Sequence, residues 1–139
     1  MNRELKSNLR CIEALAPQAI SSDTTTDGAA IDLRGYDSCL FALHAGTLTD
    51  GTYTPVIEES ATGTFTGEET AVADADLTNT EANTAMAATD DNTVKTIGYI
   101  GVKDYVRFTL TSASTSTGGT LGCLAILGHS EQKPVPANS

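Results

Sequence analysis

Residues 93–110, TVKTIGYIGVKDYVRFTL, decide the fold class. Val106, Phe108 and Leu110 fall on one face and Arg107 and Thr109 on the other, the two-residue period of a half-buried strand. Gly101 with Lys103-Asp104 supplies a turn, because glycine tolerates dihedrals that other residues avoid. Tyr99 and Tyr105 flank it, each with a hydroxyl that needs a partner when buried. The stretch is predicted to be a hairpin in a β domain.

The remainder of the chain agrees with a β class. At 139 residues it is one domain, able to bury roughly two-thirds of its unfolded surface. Four Tyr, three Phe and no Trp leave a core of Val, Ile, Leu and Ala. Short apolar runs punctuated by Gly, Asp, Asn and Ser favour an all-β sandwich. Ser38 to Ala45 and Thr120 to Leu127 are apolar on both faces, as suits central strands or strands lying under a neighbouring subunit. Asp27-Gly28 and Asp50-Gly51 mark turns, and a short strand is expected between Ala30 and Leu33. Residues 53–60 form another strand, and Pro55, lacking an N–H, places it at an edge or a bulge. Residues 61–92 are weakly patterned; short strands are expected near Phe65 and Val72, with loops over 78–92.

The ends are set apart. Leu5, Leu9, Ile12 and Leu15 have helical spacing, but the same residues suit an extended arm whose later part, from Cys11, joins a sheet. Residues 1–15 are therefore an N-terminal arm or short helix, 16–129 the sandwich, and 130–139 a flexible tail containing Pro134 and Pro136. Charges through the first ten residues argue against a secretory signal, and no apolar run is long enough to span a membrane.

The net charge is −10, and no Lys or Arg occurs between Arg34 and Lys95. Such a surface repels phosphates and excludes nucleic-acid binding. It serves solubility or complements a basic partner, while Arg3, Lys6 and Arg10 make the N-terminal segment basic. Cys39 and Cys123, inside apolar strands, read as buried reduced thiols.

No motif for chemistry stands out. His44 lies within an apolar strand and reads as structural, and His129 lies at a strand end; no GxSxG supplies a nucleophile. Asp90-Asp91-Asn92 and Asp74-x-Asp76 offer oxygen ligands but do not match a calcium loop. No phosphate-cradling glycine motif occurs, and no cofactor, metal or enzymatic activity is expected.

Several segments taken in order resemble a family of small head decoration, or cement, proteins of tailed bacteriophages. They are MNRELKSNL at 1–9, IDLRGYDS at 31–38, HAGTLTDGTYTP at 44–55, IGYIG at 97–101, YVRFTLT at 105–111 and TGGTLGCLAILGH at 117–129. The resemblance implies a jelly-roll-type β-sandwich with an extended N-terminal arm. It implies a non-catalytic virion protein, made in the host bacterial cytoplasm and placed on the outer capsid surface. There it would clamp neighbouring major capsid proteins of Johnson fold non-covalently, as a homodimer or a trimer, with no nucleic-acid or membrane partner. Arg3, Lys6 and Arg10 are the expected arm contacts; Tyr53, Pro55 and Ile57 are the expected contacts on the edge strand, where a β-ladder could be extended. The rival expectation is a carbohydrate- or receptor-binding module with a groove near Tyr53 or Tyr99, or a neck or tail component.

Overall fold

The computed structural model describes residues 4–131. The chain makes β1 (Arg10–Ile20), β2 (Thr25–Asp27), β3 (Ile31–Asp32), β4 (Tyr36–Leu48) and β5 (Thr52–Ser60). It continues through β6 (Thr70–Ala71), α1 (Glu81–Thr84), β7 (Met86–Ala87), β8 (Val94–Tyr99), β9 (Tyr105–Ala113) and β10 (Gly119–Ser130). One antiparallel sheet has the order β1-β10-β4-β8, and the other β2-β9-β5-β6, with β3 also on β9 and β7 also on β5. Counting β2 with β3 and β6 with β7 as single positions gives eight, ordered 1-8-3-6 and 2-7-4-5. That interleaving of early and late strands is a jelly-roll sandwich.

The expected hairpin over 93–110 does not form. β8 pairs with β4 in the first sheet, and β9 pairs with β5 in the second. The turn at Gly101 therefore carries the chain from one sheet to the other. Ile97 and Tyr99 line one wall of the core and Val106, Phe108 and Leu110 the other, all buried. A hairpin would have put both sets on the same wall. At the centre the Phe41 and Phe108 rings meet with centroids 5.7 Å apart, one from each sheet.

β1 settles the N-terminal ambiguity. Arg10 to Leu15 pair with β10, and Ala14 and Leu15 are buried, so no helix forms there and the sandwich begins at Arg10 rather than at residue 16. Glu4 to Leu9 lead into it with one 3-10 turn, Lys6–Asn8. At the other end β10 runs to Ser130, and the Glu131 N–H bonds the Gly35 carbonyl. The proline-containing part of the tail lies outside the described residues.

Residues 61–92 depart from expectation. No strand forms at Phe65, whose ring instead receives the Arg107 guanidinium at 4.9 Å. β6 precedes Val72, but 78–92 contain α1 and β7 rather than loop alone. Thr80 caps α1 by accepting the Asn83 N–H at 3.1 Å. Glu81 then reaches β5, accepting the Ile57 N–H at 2.6 Å, and its burial raises its carboxyl pKa. Ile57 turns both backbone groups this way, its carbonyl accepting the Val72 N–H. Pro55, two residues away, turns the same way, so its missing N–H costs no bond to β9.

The loop joining β9 to β10 is tied down by Asp50, whose carboxylate accepts N–H bonds from Ser116, Thr117 and Gly118 at 2.8–3.0 Å. These bonds hold its pKa below the usual 3.8. A depressed folded-state pKa contributes stability above the unfolded value and loses it as pH falls through the folded one. Melting temperature should therefore decline as pH drops below about 4, and Asp50→Asn should lower it at pH 7 while flattening that decline. Thermal denaturation across pH 2–7 checks both.

Candidate protein-interaction surface

In an antiparallel sheet, residues directly opposite one another point to the same side. On the first sheet this builds three rows across its outer face: Glu13, Leu124, Ala42 and Thr96; Cys11, Ile126, Leu40 and Gly98; Gly122, His44 and Val94. Leu124 and Val94 are exposed at 40% and 55%. Glu13 is the one carboxylate in these rows, on a chain of net charge −10. The second sheet is different. Its outward Glu58 accepts from Arg107 Nη2 at 2.6 Å and from Thr109 Oγ1 at 3.0 Å, with Asp27 3.9 Å from the guanidinium. One sheet thus closes its outer face with a polar network, and the other leaves apolar side chains open.

The open face is concave. A groove of about 500 Å³ is lined by Glu13, Pro17, Ala42, His44, Gly46, Val94 and Leu124 among others. Small residues create the hollow. Pro17 lies directly over Gly122, where a Cβ would be 3.0 Å from the proline ring. The shifts of register in β1 on either side of Leu15 bring Pro17 there. His44, read from sequence as a structural histidine within an apolar strand, is exposed in this groove because alternate β4 residues face outward.

A second apolar feature is convex. Ile100 and Val102, 60% and 92% exposed, project from the turn between β8 and β9. The turn is fixed at several points: Ile100 N–H to the Asp76 carbonyl at 2.8 Å, Leu33 N–H to the Asp104 carbonyl at 2.8 Å, and Lys103 N–H to the Tyr99 hydroxyl at 3.1 Å. That hydroxyl in turn donates to Glu59 at 2.6 Å, and burial together with this bond raises its pKa. Gly101 is required here, since a Cβ would sit 2.5 Å from the Tyr99 hydroxyl.

Of the residues expected to touch a partner, Arg3 lies outside the described residues. Lys6 is exposed on the 3-10 turn, and Arg10 is half-buried at the start of β1. Tyr53, Pro55 and Ile57 are corrected: all three are buried, because they share the inward face of β5 while Thr54, Val56 and Glu58 share the outward one. Tyr53 and Tyr99 are 0% and 4% exposed, so neither offers the stacking face a sugar groove would need. The basic segment does not become a basic pole either. Lys6, Arg10, Arg34 and Lys103 gather at one end of the sandwich, but Glu4, Asp32, Asp37, Asp104 and Glu131 join them there.

The groups considered for chemistry are occupied structurally. Asp91 accepts the Leu48 N–H at 2.5 Å, and Asp90 accepts the Ala87 N–H at 2.9 Å and pairs with Lys95. His129, in the left-handed region with φ 52°, contacts the Ser38 hydroxyl. Cys39 and Cys123 are buried and unbridged, and burial pushes the Cys39 thiol up to about 12. No helix among the described residues is long and apolar enough to cross a membrane.

No protein-family model matches the chain, and no curated protein matches it. Among solved structures it is similar to a chain in the structure of infectious bursal disease virus, Gx strain. The identity is 14% and the TM-score 0.49, over 91% of this chain and 34% of that one. The chain spans about a third of that neighbour's length.

Proposed function

We propose that this chain is a structural virion protein that decorates an assembled phage head and holds neighbouring major capsid protein subunits together without covalent bonds. The observation that carries the proposal is the outer face of the β1-β10-β4-β8 sheet, apolar and nearly free of carboxylates on an otherwise acidic molecule. A contiguous exposed apolar face marks a protein-contact site more often than an idle surface. The order of segments resembling phage decoration proteins supplies the kind of partner. In this account the molecule binds the assembled shell in preference to free subunits and stabilises assembly by linkage. Many copies make the sum large even where one contact is weak. It carries out no reaction and needs no cofactor.

The N-terminal segment supplies the reach to the shell. Leu5 is 62% exposed beside Lys6, and Leu9 folds back towards Gly128, anchoring the segment on β10. Residues 1–9 precede the strands among the described residues, so their deletion removes the Leu9 contact on β10 but no sheet pairing. Deleting them should reduce occupancy on purified shells at least about tenfold, as loss of an anchoring apolar contact and its charges would. Co-sedimentation of the truncated and full chains with shells measures this. Unchanged occupancy would remove the arm from the account.

A further inference from the structure

We infer that the groove on the outer sheet face receives the Ile100–Val102 turn of a second copy of this chain, joining copies head to tail. The two features complement one another. The groove is a concave apolar surface of about 500 Å³ whose carboxylate, Glu13, has no cation beside it among the described residues. The turn is a convex apolar one, and the next residue is Lys103. The ion pairs among the described residues use Arg34, Lys95 and Arg107, leaving the Lys103 ammonium available. With Ile100 and Val102 seated in the hollow between Pro17, Ala42, Val94 and Leu124, the orientation that turns Lys103 toward β1 sets its ammonium against Glu13.

A molecule cannot fill its own groove. The turn leaves the Tyr99 end of β8, whereas the groove opens at the Val94 end, about 17 Å away at 3.3–3.4 Å per residue. The occupant must come from another chain. A second copy suits it because the turn is already held by the Asp76, Asp104 and Tyr99 bonds, so little order has to be gained on docking. On a chain of net charge −10, this approach places a cation against a carboxylate. Because knob and groove are different surfaces, the contact is heterologous and leaves a free knob and a free groove for further copies. The contact uses the same sheet face on which the proposed decoration role rests, with a second copy as the protein that covers it, but it forms between free copies, so its test does not depend on a shell.

The test uses the full chain in sedimentation equilibrium up to about 1 mM at about 0.15 M salt, where long-range repulsion is screened beyond about 8 Å. Wild type should show concentration-dependent mass above the 14.4 kDa monomer. Val102→Asp and Leu124→Asp, both at exposed positions, should each weaken association about a hundredfold by placing an unpaired carboxylate in the contact. An equimolar mixture of the two should recover a dimer and nothing larger, since one variant keeps the knob and the other the groove. As a milder pair, Glu13→Lys and Lys103→Glu should each weaken association, and the double variant should restore it. A wild type that stays monomeric, a mixture that does not recover, or a Val102→Asp protein that associates normally would each overturn the inference.

Discussion

A chain carrying Ala42→Asp and Leu124→Asp should fold as the wild type does and bind assembled shells at least about a hundredfold more weakly. Ala42 and Leu124 are directly paired across β4 and β10, and both face outward from the sheet. Neither contributes to the buried cluster, so thermal stability should fall only by the modest repulsion of two carboxylates opposite each other beside Glu13. Placed against another protein, each carboxylate would be desolvated without a cation to meet it, and the larger cost falls on binding. The same outcome follows whether the face lies on a capsid subunit or on a neighbouring copy within the decorated shell. Co-sedimentation with shells, alongside a melting curve, separates lost contact from lost fold. Wild-type occupancy by the double variant would mean that the face is idle.

The second large effect is on stability. Glu58→Ala should cost about 2 kcal/mol, less than removing one partner from a fully buried ion pair because both side chains keep some exposure, or about 6 °C in melting temperature for a domain of this size. Glu58 and Arg107 side chains are 18% and 14% exposed. Arg107 Nε and Nη2 both donate to the same Glu58 oxygen, at 3.0 and 2.6 Å, and the guanidinium lies over Phe65. Without Glu58 the guanidinium keeps Asp27 at 3.9 Å, the Phe65 ring and the attraction of Glu69, and Thr109 loses its 3.0 Å acceptor. The damage comes mainly from a poorly paired charge rather than from the value of the pair. Glu58→Ala combined with Arg107→Met should therefore recover most of the loss, because it removes the stranded cation. Denaturant unfolding of the two singles and the double closes the cycle.

Period-two patterning made the β class and the main strands readable. It did so best in β4 and β10, where Phe41, Leu43 and Ala45 and Leu121, Cys123 and Ala125 sit in the core. It also showed that these two strands are apolar on both sides, the property that becomes the open sheet face. Periodicity gives faces, however, not neighbours. Nothing in 93–110 distinguishes a hairpin from a crossing between sheets, because either arrangement buries Ile97 and Phe108. The inward placement of Tyr53, Pro55 and Ile57 could have been read, since Glu58 belongs to the opposite parity and must face out. Glu59 obscured it by standing on the inward parity, where its carboxylate accepts the Tyr99 hydroxyl from the other sheet. The groove left a faint trace, namely small residues at outward positions of apolar strands: Ala42, Gly46 and Gly122. The knob left another, two aliphatic residues inside a turn otherwise built of Gly, Lys and Asp. Residues 61–92 stayed opaque because one four-residue helix and paired strands of two residues each carry no period to detect.

The most direct measurement is a density map of the decorated particle. The four-stranded sheet should be found with its outer face, at Ala42, His44 and Leu124, covered by protein, and with the N-terminal segment running onto the shell. A map in which that face looks out to solvent on every copy, or in which the protein is missing from the particle altogether, would contradict the account.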